Sequence, residues 1–158
     1  MSVRQHTDYV FEMPMRVRDY EVDSQGIVNN AVYLHYLEHT RHEFCRSAGT
    51  SFRTMQAQGI DPVLRSVNIE YLHPLGLGQE MVSKLALRRE GARFVFVQDI
   101  FTLPDELPVV RSEVTVVCLE GGRLTRGEVL AEAFAEYLRY AGIAAAAGTA
   151  VGCPDLNN

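Results

Sequence analysis

The sequence predicts an α+β domain in which an antiparallel sheet of five to six strands wraps around one long central helix. Three observations carry this. The periodic segments run one strand, one long helix, then four strands, so helices do not alternate with strands as a doubly wound parallel sheet requires. The last four strand-like segments are joined by short turns, which imply antiparallel neighbours. Alternation within them gives the sheet one apolar and one mixed face, and the long helix is the element available to cover the apolar one.

Taken in order, Tyr9 to Val17 alternates, with Tyr9, Phe11, Met13, Met15 and Val17 on one side and charged residues partly filling the other, the period of a strand. After the turn Asp23-Ser24-Gln25-Gly26, the stretch from about Val28 to Ala48 carries Val32, Tyr33, Tyr36, Leu37, Thr40, Phe44 and Ala48 at helical steps. His35, Glu38, Arg41 and His42 fall largely on its other faces. This is the longest helix, and Gly49 stands where a C-terminal stop belongs. Beyond a break at Gly59-Ile60-Asp61-Pro62 come strand-like runs at Val63 to Leu72, Met81 to Arg89, Phe94 to Leu103 and Val109 to Leu119. Turn material separates them at Pro74 to Gly78, Glu90-Gly91, Pro104-Asp105 and Gly121-Gly122. Within the runs Val67, Ile69 and Tyr71 oppose Ser66, Asn68 and Glu70, while Val114, Val116 and Cys118 oppose Glu113 and Thr115. Thr125 followed by Glu128 has capping-box spacing. Leu130, Ala133, Phe134, Tyr137, Leu138 and Ala141 then recur at helical steps, predicting a second amphipathic helix that docks at the end. Residues 1–141 thus form a single domain, and the Ala- and Gly-rich tail 142–158 offers little to pack and is expected to be flexible.

Composition narrows the function classes. The 158 residues match one domain, for which about 100–200 residues is the usual size. At 47% hydrophobic and 22% charged, the chain is globular rather than disordered. A formal net charge of −5, with no Lys/Arg run longer than Arg88-Arg89, leaves no broad basic field, so nucleic acid is not expected as a partner. Asp8 and Glu12 interrupt the opening MSVRQHTDYVFEM, which contains neither a secretory apolar stretch nor a membrane span. A cytoplasmic protein with no membrane partner is expected. Cys45, Cys118 and Cys153 are odd in number and widely spaced, fitting neither a disulfide framework nor a zinc ligand set.

The densest polar constellation runs from Arg18 to Asn30, between the first strand and the long helix. It places a carboxylate, Asp23, and a glycine, Gly26, just before a helix N-terminus, whose free N–H groups and positive dipole end suit an oxyanion. Acyl transfer needs a base or nucleophile to attack the carbonyl carbon, together with donors for the charge that develops on oxygen. Asp23 supplies the first and the Asn30 amide the second; on local pattern alone, Asp23 equally closes an Asx-turn or caps the helix.

The run from Arg16 through Asp23, Gly26, Asn30, Tyr33 and Tyr36 to Glu38 resembles the signature of the 4-hydroxybenzoyl-CoA thioesterase family, hotdog-fold proteins with an Asp, a Gly three residues later and a Tyr seven beyond that. Asn29-Asn30-Ala31-Val32-Tyr33 followed by Arg41-His42-Glu43-Phe44 is similar to the plant plastid acyl-carrier-protein thioesterases related to methylketone synthase and to their bacterial relatives. The resemblance extends from about Val10 to Leu119, including Asn68 to Pro74 and Val116 to Leu119. It implies Asp23 as catalytic general base or nucleophile, Gly26 as the residue permitting the tight turn, and the Asn30 N–H as donor to the thioester carbonyl. It also implies substrate-binding positions at Tyr33 and Glu38 and a homotetramer, a dimer of dimers, with active sites between subunits. No metal or cofactor is implied beyond the coenzyme A or phosphopantetheine thioester that is the substrate, carried as acyl-CoA or on acyl carrier protein. At Asn30 many bacterial members carry His or Tyr, a departure that a backbone donor tolerates. Glu38 reads equally as a buried or paired structural acid.

His35, His39 and His42 lie on one helical face, but only two span the one-turn spacing of helical zinc sites and no HExxH motif occurs, so no metal is expected. Arg88, Arg89 and Arg93 surround one hairpin, where guanidinium groups either hold the phosphates of the carrier or form a solvated face. Fatty acyl thioesters are the first expectation for the substrate, and aromatic ones such as hydroxybenzoyl- or dihydroxynaphthoyl-CoA the alternative. A hydratase would want a His in the Asp23 to Asn30 segment, which has none. A non-catalytic acyl-thioester-binding protein would be expected to lack Asp23 or to carry a DNA-binding extension.

Overall fold

The computed structural model describes residues 7–138. β1 (Phe11–Arg16) leads through a 3₁₀ turn (Asp19–Glu21) into α1 (Asn30–Ser47), and a short α2 (Phe52–Ala57) follows. Then come β2 (Ile60–Tyr71), β3 (Glu80–Glu90), β4 (Arg93–Thr102), β5 (Pro108–Glu120), β6 (Arg123–Leu124) and α3 (Glu128–Ala133). The strands form one antiparallel sheet in the order β1-β3-β4-β5-β2, with β6 paired to the end of β5. This is the α+β architecture expected, six strands against one long helix. Ala141 and the tail 142–158 lie outside the described residues.

Both edge strands tolerate a proline, whose missing N–H costs nothing where no neighbour needs it: Pro14 in β1 pairs with Val82, and Pro62 in β2 with Cys118. The expected break at Gly59 to Pro62 is therefore confined to Gly59, and Ile60, Asp61 and Pro62 already belong to β2. α2 has no counterpart in the sequence reading because six residues are too few to display a period. Its one signal is Ser51, whose hydroxyl accepts a hydrogen bond from Thr54 N at 3.0 Å. The Thr125–Glu128 capping box does not form. Gly127, at φ 66°, is the N-cap of α3; Thr125 Oγ1 accepts from Gly127 N and donates to Glu120, while Glu128 pairs with Arg89.

α1 divides the interior into two apolar clusters. Tyr33, Tyr36 and Leu37 pack with Val17, Val28, Leu75, Met81, Ile100, Val109 and Val110 near its N-terminus. Phe44 and Cys45 pack with Leu85, Leu87, Phe94, Phe96, Val114 and Phe134 near its C-terminus. Between them lies a buried polar belt. The Thr40 hydroxyl donates to Tyr36 O at 2.8 Å and lies 2.9 Å from the Ser83 hydroxyl, and Gln98 Nε2 donates to Leu37 O at 2.9 Å. Arg41 Nη1 donates to Gln98 Oε1 at 2.9 Å. Arg41 is buried, which corrects its expected place on the outer faces of the helix: its guanidinium reaches inward to a strand partner that helical periodicity does not reveal. These directional bonds fix the register of α1 on the sheet, because slippage by one turn would strand each polar group without a partner.

Candidate active site

The Arg18 to Asn30 segment folds into a compact turn on the N-terminal end of α1. Asp23 N donates to Ile27 O at 2.9 Å, Gly26 N donates to Asp23 O at 3.0 Å, and Val22 bridges Val28 across the turn. Gly26, at φ 76°, takes the left-handed conformation that closes it. A second loop clamps this turn from the side: Val28 N donates to Leu75 O, Ile27 bridges Gly76, and Gly78 N donates to Val17 O.

The half-buried Asp23 carboxylate accepts one hydrogen bond, from Gln25 N at 2.8 Å through Oδ1. The Asx-turn is therefore real, and it leaves Oδ2 without a protein donor among the described residues. An Asx-turn and a catalytic role are compatible, since holding one oxygen orients the other. Asn29 caps α1, its side chain accepting from Ala31 N at 3.0 Å, so the Asn30 N–H of the first helical residue meets no acceptor among the described residues. Tyr71 OH donates to Asn30 O at 3.1 Å, and the Asn30 side chain is exposed. The turn with its oriented carboxylate thus leads, seven residues on, to an unfilled donor at the positive end of a helix 18 residues long.

Glu21 anchors this turn, and sequence reasoning did not single it out. Its buried carboxylate accepts from Tyr36 OH at 2.6 Å, Arg18 N at 2.8 Å and Arg18 Nη1 at 3.0 Å, while its carbonyl accepts from Asn29 N. Burial, and then the bond to Glu21, push the Tyr36 phenol far above its ordinary value, so it remains a donor at any physiological pH. Tyr33 is buried beneath the turn, its ring edge-on to Tyr36 and Tyr71 at centroid distances of 5.9 and 5.5 Å.

The remaining expected positions lie elsewhere. Glu38 is exposed, eight residues along α1 from Asn30, or about 12 Å by helical rise, and lies 3.9 Å from His42. Arg88 pairs with Glu90 and Glu113 across the outer face of β4; Arg89 bonds Glu128 and the Arg126 carbonyl; Arg93 is exposed. Arg88 stands eight residues along β3 from Glu80, so the arginine hairpin is about 26 Å from the strand end that adjoins the Asp23 turn. Within one chain, Asp23 and Gly26 share the entry turn, Asn30 opens the helix that follows it and Tyr33 packs with Val28 under it, whereas Arg88, Arg89 and Arg93 lie at the other end of β3. Among the described residues no three His, Cys, Asp or Glu side chains converge to hold a metal. No helix of these residues is long and apolar enough to cross a membrane.

Comparison with known proteins places this geometry in context. The chain is 37% identical over 110 residues to the chloroplastic acyl-acyl carrier protein thioesterase ATL2 of Arabidopsis thaliana, an alignment covering 69% of this chain but only 58% of that protein. It is 31% identical over 107 residues to the long-chain acyl-CoA thioesterase FadM of Escherichia coli, covering 67% of this chain and 80% of that one. Among solved structures, a hypothetical protein from Aquifex aeolicus superposes with a TM-score of 0.72 at 28% identity, covering 78% of this chain and 98% of its own. A DHNA-CoA thioesterase from Staphylococcus aureus, 18% identical, shares the fold with a TM-score of 0.74, covering 89% and 95% of the two chains. Residues 17–138, from the end of β1 through α3, match the family model of the thioesterase-like superfamily, and the chain belongs to that family.

Proposed function

We propose that this protein hydrolyses acyl thioesters of coenzyme A or acyl carrier protein to a free acid and a thiol. The observation that carries this reading is the half-held Asp23 carboxylate in the turn that leads into the unfilled Asn30 N–H at the start of α1. In the general-base form, Asp23 Oδ2 takes a proton from water as the water oxygen bonds to the carbonyl carbon. The resulting oxyanion is stabilised by the Asn30 amide and the helix dipole, and collapse breaks the C–S bond, the thiolate leaving and taking up a proton. In the nucleophilic form Asp23 attacks the carbonyl carbon directly, the C–S bond breaks with the thiolate leaving and taking up a proton, and water then hydrolyses the mixed anhydride to the free acid and the Asp23 carboxylate. No metal or cofactor enters either form.

Fatty acyl groups are the favoured substrates, supported by relatives named as acyl-acyl carrier protein and long-chain acyl-CoA thioesterases. A cytoplasmic homotetramer, a dimer of dimers with sites between subunits, completes the proposal; in such an assembly the arginine hairpin of one subunit is free to serve the Asp23 turn of another. Thiol release from a panel of aliphatic and aromatic acyl-CoA and acyl-carrier-protein thioesters tests the reading. Turnover of aliphatic members is expected, preference for aromatic ones would transfer the assignment to that class, and silence across the panel would contradict hydrolysis.

A further inference from the structure

A second site lies at the other half of α1. Arg41 is only 8% exposed, yet among the described residues Gln98 Oε1 is the sole acceptor for its guanidinium, and no carboxylate forms an ion pair with it. Among the described residues no buried side-chain nitrogen or oxygen lacks a partner. The Arg41 Nε and Nη2 donors, which bond to nothing among the described residues, must therefore reach open space. That space is a cleft of about 410 Å³ between α1, α2 and β2, which Arg41 lines. A buried guanidinium is rarely left with most of its fork unfilled, because desolvation is offset only when its donors are satisfied. Burial lowers the Arg41 pKa from its ordinary value, and the nearby Glu38 carboxylate offsets this only in part.

We propose that this cleft binds a carboxylate with an apolar tail, the chemical class of a free medium-chain fatty acid. The planar fork of arginine matches a carboxylate bidentately. Phe52, Pro62, Leu64 and Val116 supply apolar wall for the tail, and the volume lies within the roughly 300–1,000 Å³ typical of ligand pockets. Glu38 and Asp61 border the cleft together with Arg53 and His42, so the acids balance Arg41 and Arg53 and leave no excess positive charge to favour a phosphate dianion over a single charge. Arg41 is eleven residues from Asn30, about 16 Å along α1, so this is a separate site from the Asp23 turn. Its ligand is the product class of the proposed reaction, but the inference does not require turnover.

Isothermal titration calorimetry of the full chain with decanoate, 1-decanol and acetate tests it. Decanoate should bind about tenfold or more tightly than either control, the scale of a charge-assisted hydrogen bond added to an apolar contact. Leu64→Glu, on the exposed part of β2 where folding is not at stake, should weaken decanoate binding by repulsion, as should Arg41→Lys by loss of the fork. Asp23→Asn should leave it unchanged. Equal affinity for decanoate and decanol, indifference to Leu64→Glu, or loss in Asp23→Asn would each overturn the proposal. Decanoate binding without any thioester turnover would uphold this site while contradicting the hydrolase reading.

Discussion

At the scale of single residues, the proposed chemistry rests on how few groups hold Asp23. One oxygen is fixed by the Gln25 amide, and the turn that carries it is fixed by Glu21, whose carboxylate collects three hydrogen bonds in a buried position. Glu21→Leu should cost about 2–3 kcal/mol in chemical denaturation, since it leaves Tyr36 OH buried without an acceptor; an unchanged midpoint would contradict the anchoring role. The turn that carries Asp23 and Gly26 into Asn30 was legible in the sequence because its geometry depends on neighbours a few residues away. Glu21 and Arg41 were not, because the groups that bury them, Tyr36 and Gln98, are 15 and 57 residues distant. Cys45 is held in the apolar cluster under α1, and burial pushes its thiol up to about 12 from an ordinary value of 9.0. A pKa raised in the folded state contributes stability that is complete below 9.0 and lost as pH climbs toward 12. The native protein should therefore leave Cys45 unalkylated by iodoacetamide at neutral pH and weaken in that alkaline window, both measurable by mass mapping and pH-dependent melting.

Among the elements, the helix entry decides the site and two glycines show how. Gly26 closes the turn that carries Asp23 at φ 76°, and a Cβ there would meet nothing within 4 Å, so Gly26→Ala should cost only the conformational term of about 1 kcal/mol. Gly127 is also left-handed, but a Cβ there would lie 2.7 Å from the Phe94 ring and 3.1 Å from Cys118, so Gly127→Ala should lower the melting temperature clearly more. A reversed order would contradict the packing of α3 on the sheet. Asn29→Ala removes the α1 cap and should cost about 1 kcal/mol, with a larger loss in kcat than the stability change alone explains, because the same cap sets the Asn30 N–H. Strand periods located β2 to β5 within three residues, because alternation is reinforced by cross-strand pairing over ten or more positions. α2 and the α3 cap escaped because six-residue helices are set by tertiary docking rather than by a repeating pattern.

For the whole molecule, α1 is a single rod with the Asp23 turn at one end and the Arg41 cleft along its second half, held in register by the polar belt between the two apolar clusters. The overall plan was readable because its element order admits few topologies, whereas the belt was not, since polar residues inside a core look like surface positions in a linear sequence. In solution the protein should sediment at four times the chain mass if the proposed assembly is right, and a monomer would remove the means of bringing Arg88, Arg89 and Arg93 to the Asp23 turn. The most direct test of the central claim is thiol release by the wild type and Asp23→Asn side by side on whichever thioester the wild type turns over fastest, with circular dichroism confirming that the variant is folded. A fall in kcat of at least about 10²–10⁴-fold in a folded variant is the predicted result. A folded Asp23→Asn that keeps wild-type turnover would contradict the account.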